Sequence, residues 1–129
     1  VLYEKSLDLP GETISDFFGI KIKTEIRDQN DMSYNSPFKA RFDGSNIHGP
    51  LLLRNRRKGD KFIPLGMKGK KKLKDFLIDE KIPGFKRDMI PVITSGDDIL
   101  WVVGMRIDER FKVTGESKNI VHMEVNFIE

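Results

Sequence analysis

The chain of 129 residues contains no cysteine, two histidines and one tryptophan. Without cysteine it can form no disulfide, no thiolate metal site and no cysteine nucleophile. Because such a chain suits a reducing compartment, we expect a cytoplasmic protein. His48 and His122 have no partner at the spacing of a metal motif, so we predict no metal site. No apolar run approaches the roughly 20 residues that a membrane-spanning helix needs, and we expect no membrane partner.

Sequence motifs of catalysis are absent as well. The sequence has no Walker loop, dinucleotide fingerprint, nucleophile elbow or zinc motif, and Ser95-Gly96-Asp97-Asp98 has the composition of a hairpin turn. We therefore predict no catalytic residue and no cofactor in this chain. Because the chain begins at Val1 and not at a methionine, we also expect it to be a fragment of a longer protein.

Positive charge is abundant in one short segment. Ten of the 23 lysines and arginines lie between positions 54 and 74, where Asp60 is the only acid, whereas the segments before and after hold more acids than bases. Such a patch is typical of proteins that bind phosphates. Glycine and proline residues within the segment favour a folded loop over a solvated run of charge. The predicted phosphate-binding residues are Arg54, Arg56, Arg57, Lys58, Lys61, Lys68, Lys70, Lys71, Lys72 and Lys74.

Some residues of this segment have two interpretations. Asp60 has the chemistry of a metal ligand or catalytic base, but we favour a structural role in which it orients Arg57 or caps a turn. Strand alternation places Arg54 and Arg56 on the same face, so we expect one of the arginines to be structural. Three consecutive lysines from position 70 begin a predicted helix, where cations oppose the macrodipole unless an anion is bound.

Two aromatic residues outside the segment are candidate platforms on which a nucleobase could stack. Trp101 lies in an apolar run and is predicted to be core. Phe85 lies between Gly84 and Lys86, where stacking on a nucleobase and packing over the helix end are equally good interpretations.

The hydrophobic pattern predicts one α+β domain over residues 1–129, mainly antiparallel β with one basic helix near 71–81. Period-two alternation predicts long strands around 20–26 and 121–127. The predicted helix places Leu73, Phe76 and Leu77 on one face. Further predicted strands are 38–42, 51–54 and a hairpin of 90–94 with 99–103.

The segment from 43 to 114 resembles the C-terminal domain of bacterial tRNA(Ile)-lysidine synthases. The resemblance rests on long motifs in a fixed order, and the chain departs from the family pattern at Lys58, where the family has proline. We add Arg87, from the last but one of these motifs, to the predicted tRNA-binding residues. The motifs are Arg-x-Arg-x-x-Gly-Asp-x-Phe at 54–62, Pro-Leu-Gly at 64–66, Gly-x-Lys-Lys-Leu at 69–73, Asp-Glu-Lys-Ile-Pro at 79–83, Arg-Asp at 87–88 and Trp-Val-x-Gly-x-Arg at 101–106.

The resemblance implies a β-rich, tRNA-binding accessory domain of a tRNA-modifying ligase. The parent enzyme would use ATP to join lysine to the wobble cytidine of an isoleucine tRNA. ATP, with magnesium, would bind in an N-terminal catalytic domain outside this chain, while the present domain would hold the acceptor-stem side of the tRNA. The implied partners are that tRNA and that catalytic domain, and a homodimer of the parent is left open.

Two other functions fit the residues taken without the resemblance. One is a free-standing basic module for RNA, because charge alone does not specify which RNA is bound. The other is a small enzyme acting on an anionic substrate, although no base or nucleophile accompanies the arginines. In both cases the basic segment remains the binding surface.

Overall fold

The computed structural model describes residues 1–128 and contains three antiparallel sheets with two short helices. The strands are β1 (Glu4–Ser6), β2 (Gly11–Ser15), β3 (Ile20–Asp28), β4 (Lys39–Asp43), β5 (Leu51–Arg54), β6 (Lys61–Phe62), β7 (Lys71–Lys72), β8 (Val92–Ser95), β9 (Asp98–Val102), β10 (Arg106–Ile107) and β11 (Asn119–Phe127). The helices are α1 (Leu73–Asp79) and α2 (Gly84–Arg87), and 3₁₀ turns cover Gly44–Asn46 and Glu109–Phe111.

Two of the sheets face each other across the main core. The five-stranded sheet has the order β1-β5-β8-β9-β10, and the four-stranded sheet has the order β2-β3-β11-β4. Ile22 and Phe42 from the second sheet and Leu53 and Trp101 from the first belong to one buried cluster. The rings of Phe42 and Trp101 lie 6.2 Å apart. Burial of these side chains is the main force that holds the two sheets together.

A second core lies on the opposite face of the five-stranded sheet. There α1 and the two-stranded sheet β6-β7 cover Val92, Ile99 and Val102 with Phe62 and Phe76, whose rings lie 5.0 Å apart, edge to face. Because β9 is buried on both faces, its sequence is a continuous apolar run and does not alternate. The domain therefore has three layers, and the outer layer carries most of the basic segment.

Most of the predicted elements are confirmed. The long strands, the strands near 38–42 and 51–54 and the β8–β9 hairpin with its turn at Gly96 and Asp97 are all present. Trp101 is buried, as predicted. No helix in residues 1–128 has both the length and the hydrophobicity to span a bilayer.

The predicted helix at 71–81 is shorter than expected. Lys71 and Lys72 pair with Phe62 and Lys61 as strand β7, so α1 begins only at Leu73, whose N–H binds the Asp60 carbonyl at 2.9 Å. The lysines therefore precede the helix, with Lys72 as its N-cap, instead of crowding its first turn. The helix ends where Lys81 adopts a φ of 60°.

Candidate nucleic-acid interface

The first part of the basic segment, residues 54–60, folds around one internal ion pair. Arg54 follows Leu53 in β5 and points to the opposite face, where it is buried. Its two terminal nitrogens each donate to one oxygen of Asp60, both at 2.9 Å. Asp60 also accepts the backbone N–H of Arg57 at 2.7 Å, and Gly59 between them has a φ of 87°. This bidentate contact fixes the base of the loop.

The structure thus confirms one part of the Asp60 prediction and corrects the other. Asp60 does cap the turn, but the arginine that it orients is Arg54 and not Arg57. No group of three or more His, Cys, Asp or Glu side chains within residues 1–128 is placed to hold a metal ion. Arg54 is the structural arginine that the sequence led us to expect, because it is buried whereas Arg57 and Lys58 of the same loop are exposed.

The other two arginines of the loop lie at its surface and are each held by one carboxylate. Arg56 Nε donates to Asp88 Oδ1 at 2.9 Å, and Arg57 Nη2 donates to Glu4 Oε1 at 2.6 Å. Both carboxylates are well exposed, so each pair adds little to stability. What the pairs do provide is a defined direction for two guanidinium groups.

Six lysines of the segment are exposed and have no carboxylate within 4.0 Å among residues 1–128. By contrast, Lys71 is paired with Asp79. Arg87, on α2, donates its Nε to the Ile82 carbonyl at 2.9 Å. The six lysines are Lys58, Lys61, Lys68, Lys70, Lys72 and Lys74.

Two of these lysines face each other directly. Lys61 of β6 and Lys72 of β7 are register partners in the two-stranded sheet. Side chains at opposed positions of an antiparallel pair lie on the same face about 5 Å apart at Cβ, where like charges destabilise the pairing. An anion bound between the two ammonium groups would remove this repulsion.

The loop, strand β7 and the start of α1 line an open groove of about 540 Å³. Five cations contribute to its walls, against the carboxylates of Asp60 and Asp88. Of the predicted residues, Lys68 and Lys70 lie on the exposed connection between β6 and β7, outside this groove. The five cations are Arg56, Arg57, Lys58, Lys72 and Lys74. We call this feature the basic groove.

The connection after β6 is pinned by acids that the sequence analysis did not assign to the site. Asp108 is fully buried and accepts the Ile63 N–H at 2.9 Å, while Arg110 donates to it through Nε and Nη2 at 3.0 and 2.9 Å. Glu109 accepts the Gly66 N–H at 2.9 Å. Lys112 and that N–H lower the pKa of Glu109 below its usual range. The four charged residues within 106–110 are visible in the sequence, but nothing there shows that two of them bind the connection after β6.

Asn55 is a buried residue at the base of the basic loop that the sequence did not single out. It accepts the Tyr3 N–H at 2.9 Å and donates to the Val1 carbonyl at 2.5 Å. The N-terminal segment is therefore tied to the strand from which the basic loop starts. The polar residue between two arginines was the only available signal.

The chain is similar to known proteins over almost its whole length. The family model described as the TilS substrate C-terminal domain matches residues 51–125. The tRNA(Ile)-lysidine synthase of Caldanaerobacter subterraneus is 40% identical over 126 residues, which make up 96% of this chain and 27% of that protein. The synthase of Clostridium tetani is 38% identical over 122 residues, 95% of this chain and 26% of that protein. The chain thus spans about a quarter of the length of these curated relatives.

Two solved structures share the fold. A crystal structure described as the TILS C-terminal domain covers 100% of this chain and 99% of its own, with a TM-score of 0.83 and 27% identity. An N-terminal fragment of the phenylalanyl-tRNA synthetase β-subunit from Pyrococcus horikoshii has a TM-score of 0.58 and 22% identity, over 68% of this chain and 28% of that one. The second likeness shows the fold alone.

Proposed function

The chain belongs to the family of TilS substrate C-terminal domains, and from this premise we propose that it binds tRNA through the basic groove. Its curated relatives are tRNA(Ile)-lysidine synthases. In this proposal the chain is the accessory domain of such an enzyme. The ligation of lysine to the wobble cytidine, and the ATP and magnesium that it needs, belong to a catalytic domain of the same protein outside the present sequence.

One observation carries the proposal: the groove gathers cations that have no acid partner onto a fixed frame. Lys58, Lys72 and Lys74 are exposed at its walls without a carboxylate within 4.0 Å in residues 1–128. The Arg54–Asp60 pair beneath them fixes the loop. Cations at fixed spacing match the spacing of backbone phosphates, whereas a solvated charge run attracts them without matching.

The opposed lysines of β6 and β7 strengthen the proposal. Their repulsion lowers the stability of a strand pair that is only two residues long on each side. A phosphate between Lys61 and Lys72 would convert this unfavourable pair into a binding site. The same reasoning does not apply to Lys71, which is already paired with Asp79.

Binding of a tRNA transcript to Lys72→Ala tests the proposal. We expect a loss of about 1 to 3 kcal/mol of binding free energy, the range for a hydrogen bond to a charged group. Lys118→Ala is the matched control, because Lys118 is also exposed and also lacks a carboxylate within 4.0 Å in residues 1–128, but it precedes β11 in the other sheet. Equal affinities of the two variants would contradict the proposed groove.

Competition tests which side of the tRNA is held. We propose that the domain holds the acceptor-stem side, so an RNA minihelix with the acceptor stem should displace full-length tRNA. An anticodon hairpin of the same length should displace it poorly. The reverse order of competition would refute this placement while leaving tRNA binding itself intact.

A further inference from the structure

Phe85 is an exposed aromatic side chain three residues before Asp88, which lines the basic groove. It is 81% exposed, whereas Phe42, Phe62 and Phe76 are buried. Phe127 is also exposed, but its ring packs against another phenylalanine at 5.2 Å. Phe85 has no aromatic partner among residues 1–128. The core therefore gives no reason for an aromatic residue at this position.

The segment that carries Phe85 is held firmly in place. Arg87 donates to the Ile82 carbonyl at 2.9 Å across α2, and Ile82 and Ile90 on either side pack against the second core. Asp88, at the end of α2, lines the basic groove and binds Arg56 at 2.9 Å. The Phe85 ring thus extends into solvent from a helix whose backbone is held in place. In sequence it lies three residues before Asp88, which lines the groove.

The charge around the ring favours RNA over a protein partner. Lys86 Nζ lies 5.9 Å from the centre of the Phe85 ring, and Arg87 follows it on the same short helix. An apolar protein surface that covered the ring would have to bury or displace these two charges, at a cost in free energy. A nucleotide offers a flat base for the ring and a phosphate for the neighbouring cations, so both features are used together.

We propose that Phe85 stacks on an unpaired nucleobase of the RNA whose backbone lies in the basic groove. Within a duplex both faces of a base are covered by its neighbours, so only an unpaired base, or one at the end of a stem, offers a free face. The proposal rests on the proposed function and adds a contact that phosphate binding does not provide. It would let the domain discriminate a folded tRNA from a fully paired RNA.

Two RNAs and three variants test it. The RNAs are a tRNA transcript and a long, fully paired duplex, in which bases at the stem ends are a negligible share of the binding sites. Phe85→Leu should weaken binding to the tRNA by about 5- to 150-fold, the range for one stacked base, and leave binding to the duplex unchanged. Phe85→Tyr should bind both RNAs like the wild type, because the tyrosine ring stacks equally well. Lys72→Ala should weaken binding to both RNAs.

The possible outcomes separate this inference from the proposed function. If Phe85→Leu binds tRNA normally while Lys72→Ala does not, the stacking contact is refuted and the groove stands. If Lys72→Ala binds normally as well, the proposed function fails too. A Phe85→Leu protein that melts at a lower temperature and loses affinity for both RNAs equally would show that Phe85 packs in the fold, which also overturns the inference.

Discussion

Single side chains divide the basic segment into a buried structural part and an exposed part, which is the proposed binding part. Arg54 is buried and bound to Asp60 through two hydrogen bonds, while Lys72 and Lys74 are exposed at the walls of the basic groove. All of them were predicted to contact tRNA, and their charge alone does not distinguish them. We propose that Arg54 acts through the loop and the exposed lysines act on the phosphates.

Asp60→Ala should destabilise the fold as well as the groove. Removing one partner of a buried ion pair leaves the other charge buried and uncompensated, which costs about 3 to 5 kcal/mol in fully buried pairs. The side chains of Arg54 and Asp60 are 8% and 12% exposed, so we expect a value near the lower end of that range. Chemical denaturation gives the free energy of unfolding.

The control for this variant is Asp88→Ala. It also removes one carboxylate from an arginine at the groove, but Asp88 is 66% exposed, and surface pairs contribute about 0 to 1 kcal/mol. If the two variants unfold at the same denaturant concentration, Asp60 has no structural role beyond that of a surface acid.

The Asp60 contact shows how far single residues could be predicted. A turn cap was predictable, because an aspartate that follows glycine in a loop commonly accepts a hydrogen bond from the backbone of the turn. Its arginine partner was not, since strand alternation predicts Arg54 and Arg56 on the same face and only the cover over that face decides which one is buried; in the structure β5 ends at Arg54. Part of that cover is the loop itself. Which arginine is buried therefore depends on the tertiary structure.

Among the strands and helices, β6 and β7 carry the clearest conflict between stability and the proposed binding of tRNA. Lys61→Glu would place opposite charges at the Lys61–Lys72 pair and should stabilise the chain by about 0.2 to 1 kcal/mol. The same change should weaken tRNA binding, because it replaces a cation by an anion beside the groove. Thermal melts and filter binding measure the two effects.

Lys61→Gln is the matching control, since it removes the repulsion without adding an attraction. It should lie between the wild type and Lys61→Glu in both measurements. If Lys61→Glu is less stable than the wild type and binds tRNA equally well, the opposed lysines do not face each other in solution as they do in this structure.

The short pair β6-β7 also explains the error in the predicted helix. Leu73, Phe76 and Leu77 have helical spacing and are buried as predicted, but nothing in that pattern shows where the helix begins. The start is set by pairing with β6, a strand of two residues that no sequence pattern reveals. Strand β1 was missed for a similar reason, because its three residues are all exposed.

Strand β11 contributes a pH dependence that is independent of the groove. Burial, and next the charge of Arg27, lower the pKa of His122 below its usual range. Because the unfolded chain takes up this proton more readily than the folded one, stability is full above the unfolded pKa of about 6.5 and is lost as the pH falls through the folded pKa. The unfolding free energy should therefore drop between pH 7 and pH 5.

Substitution of His122 by glutamine checks this assignment. The variant should show a smaller drop in unfolding free energy between pH 7 and pH 5 than the wild type, measured by chemical denaturation at both values. The carboxylates with lowered pKa values, such as Glu25 and Asp31, titrate below this window and do not interfere. An equal drop in both proteins would assign the dependence to other groups.

The domain as a whole is a scaffold of two sheets with an outer basic layer. The sheets were predictable, because Ile22 and Met123 belong to clean alternating patterns and β8–β9 to an apolar hairpin. The outer layer was not predictable. It covers a second apolar face of β9, and a continuous run of hydrophobic residues does not show whether a strand is covered on one face or on both. The composition of the basic segment was evident, but its division into groove, frame and turn was not.

We propose that the domain holds tRNA by phosphate contacts in the basic groove. A titration of tRNA against the chain at several salt concentrations tests it most directly, since each phosphate that is neutralised releases counterions. With four to six contacts, log K should fall against log salt with a slope of about −3 to −5, and Lys72→Ala should reduce its magnitude by about one. Affinity that does not change with salt, or a slope that is the same in Lys72→Ala, would contradict the account.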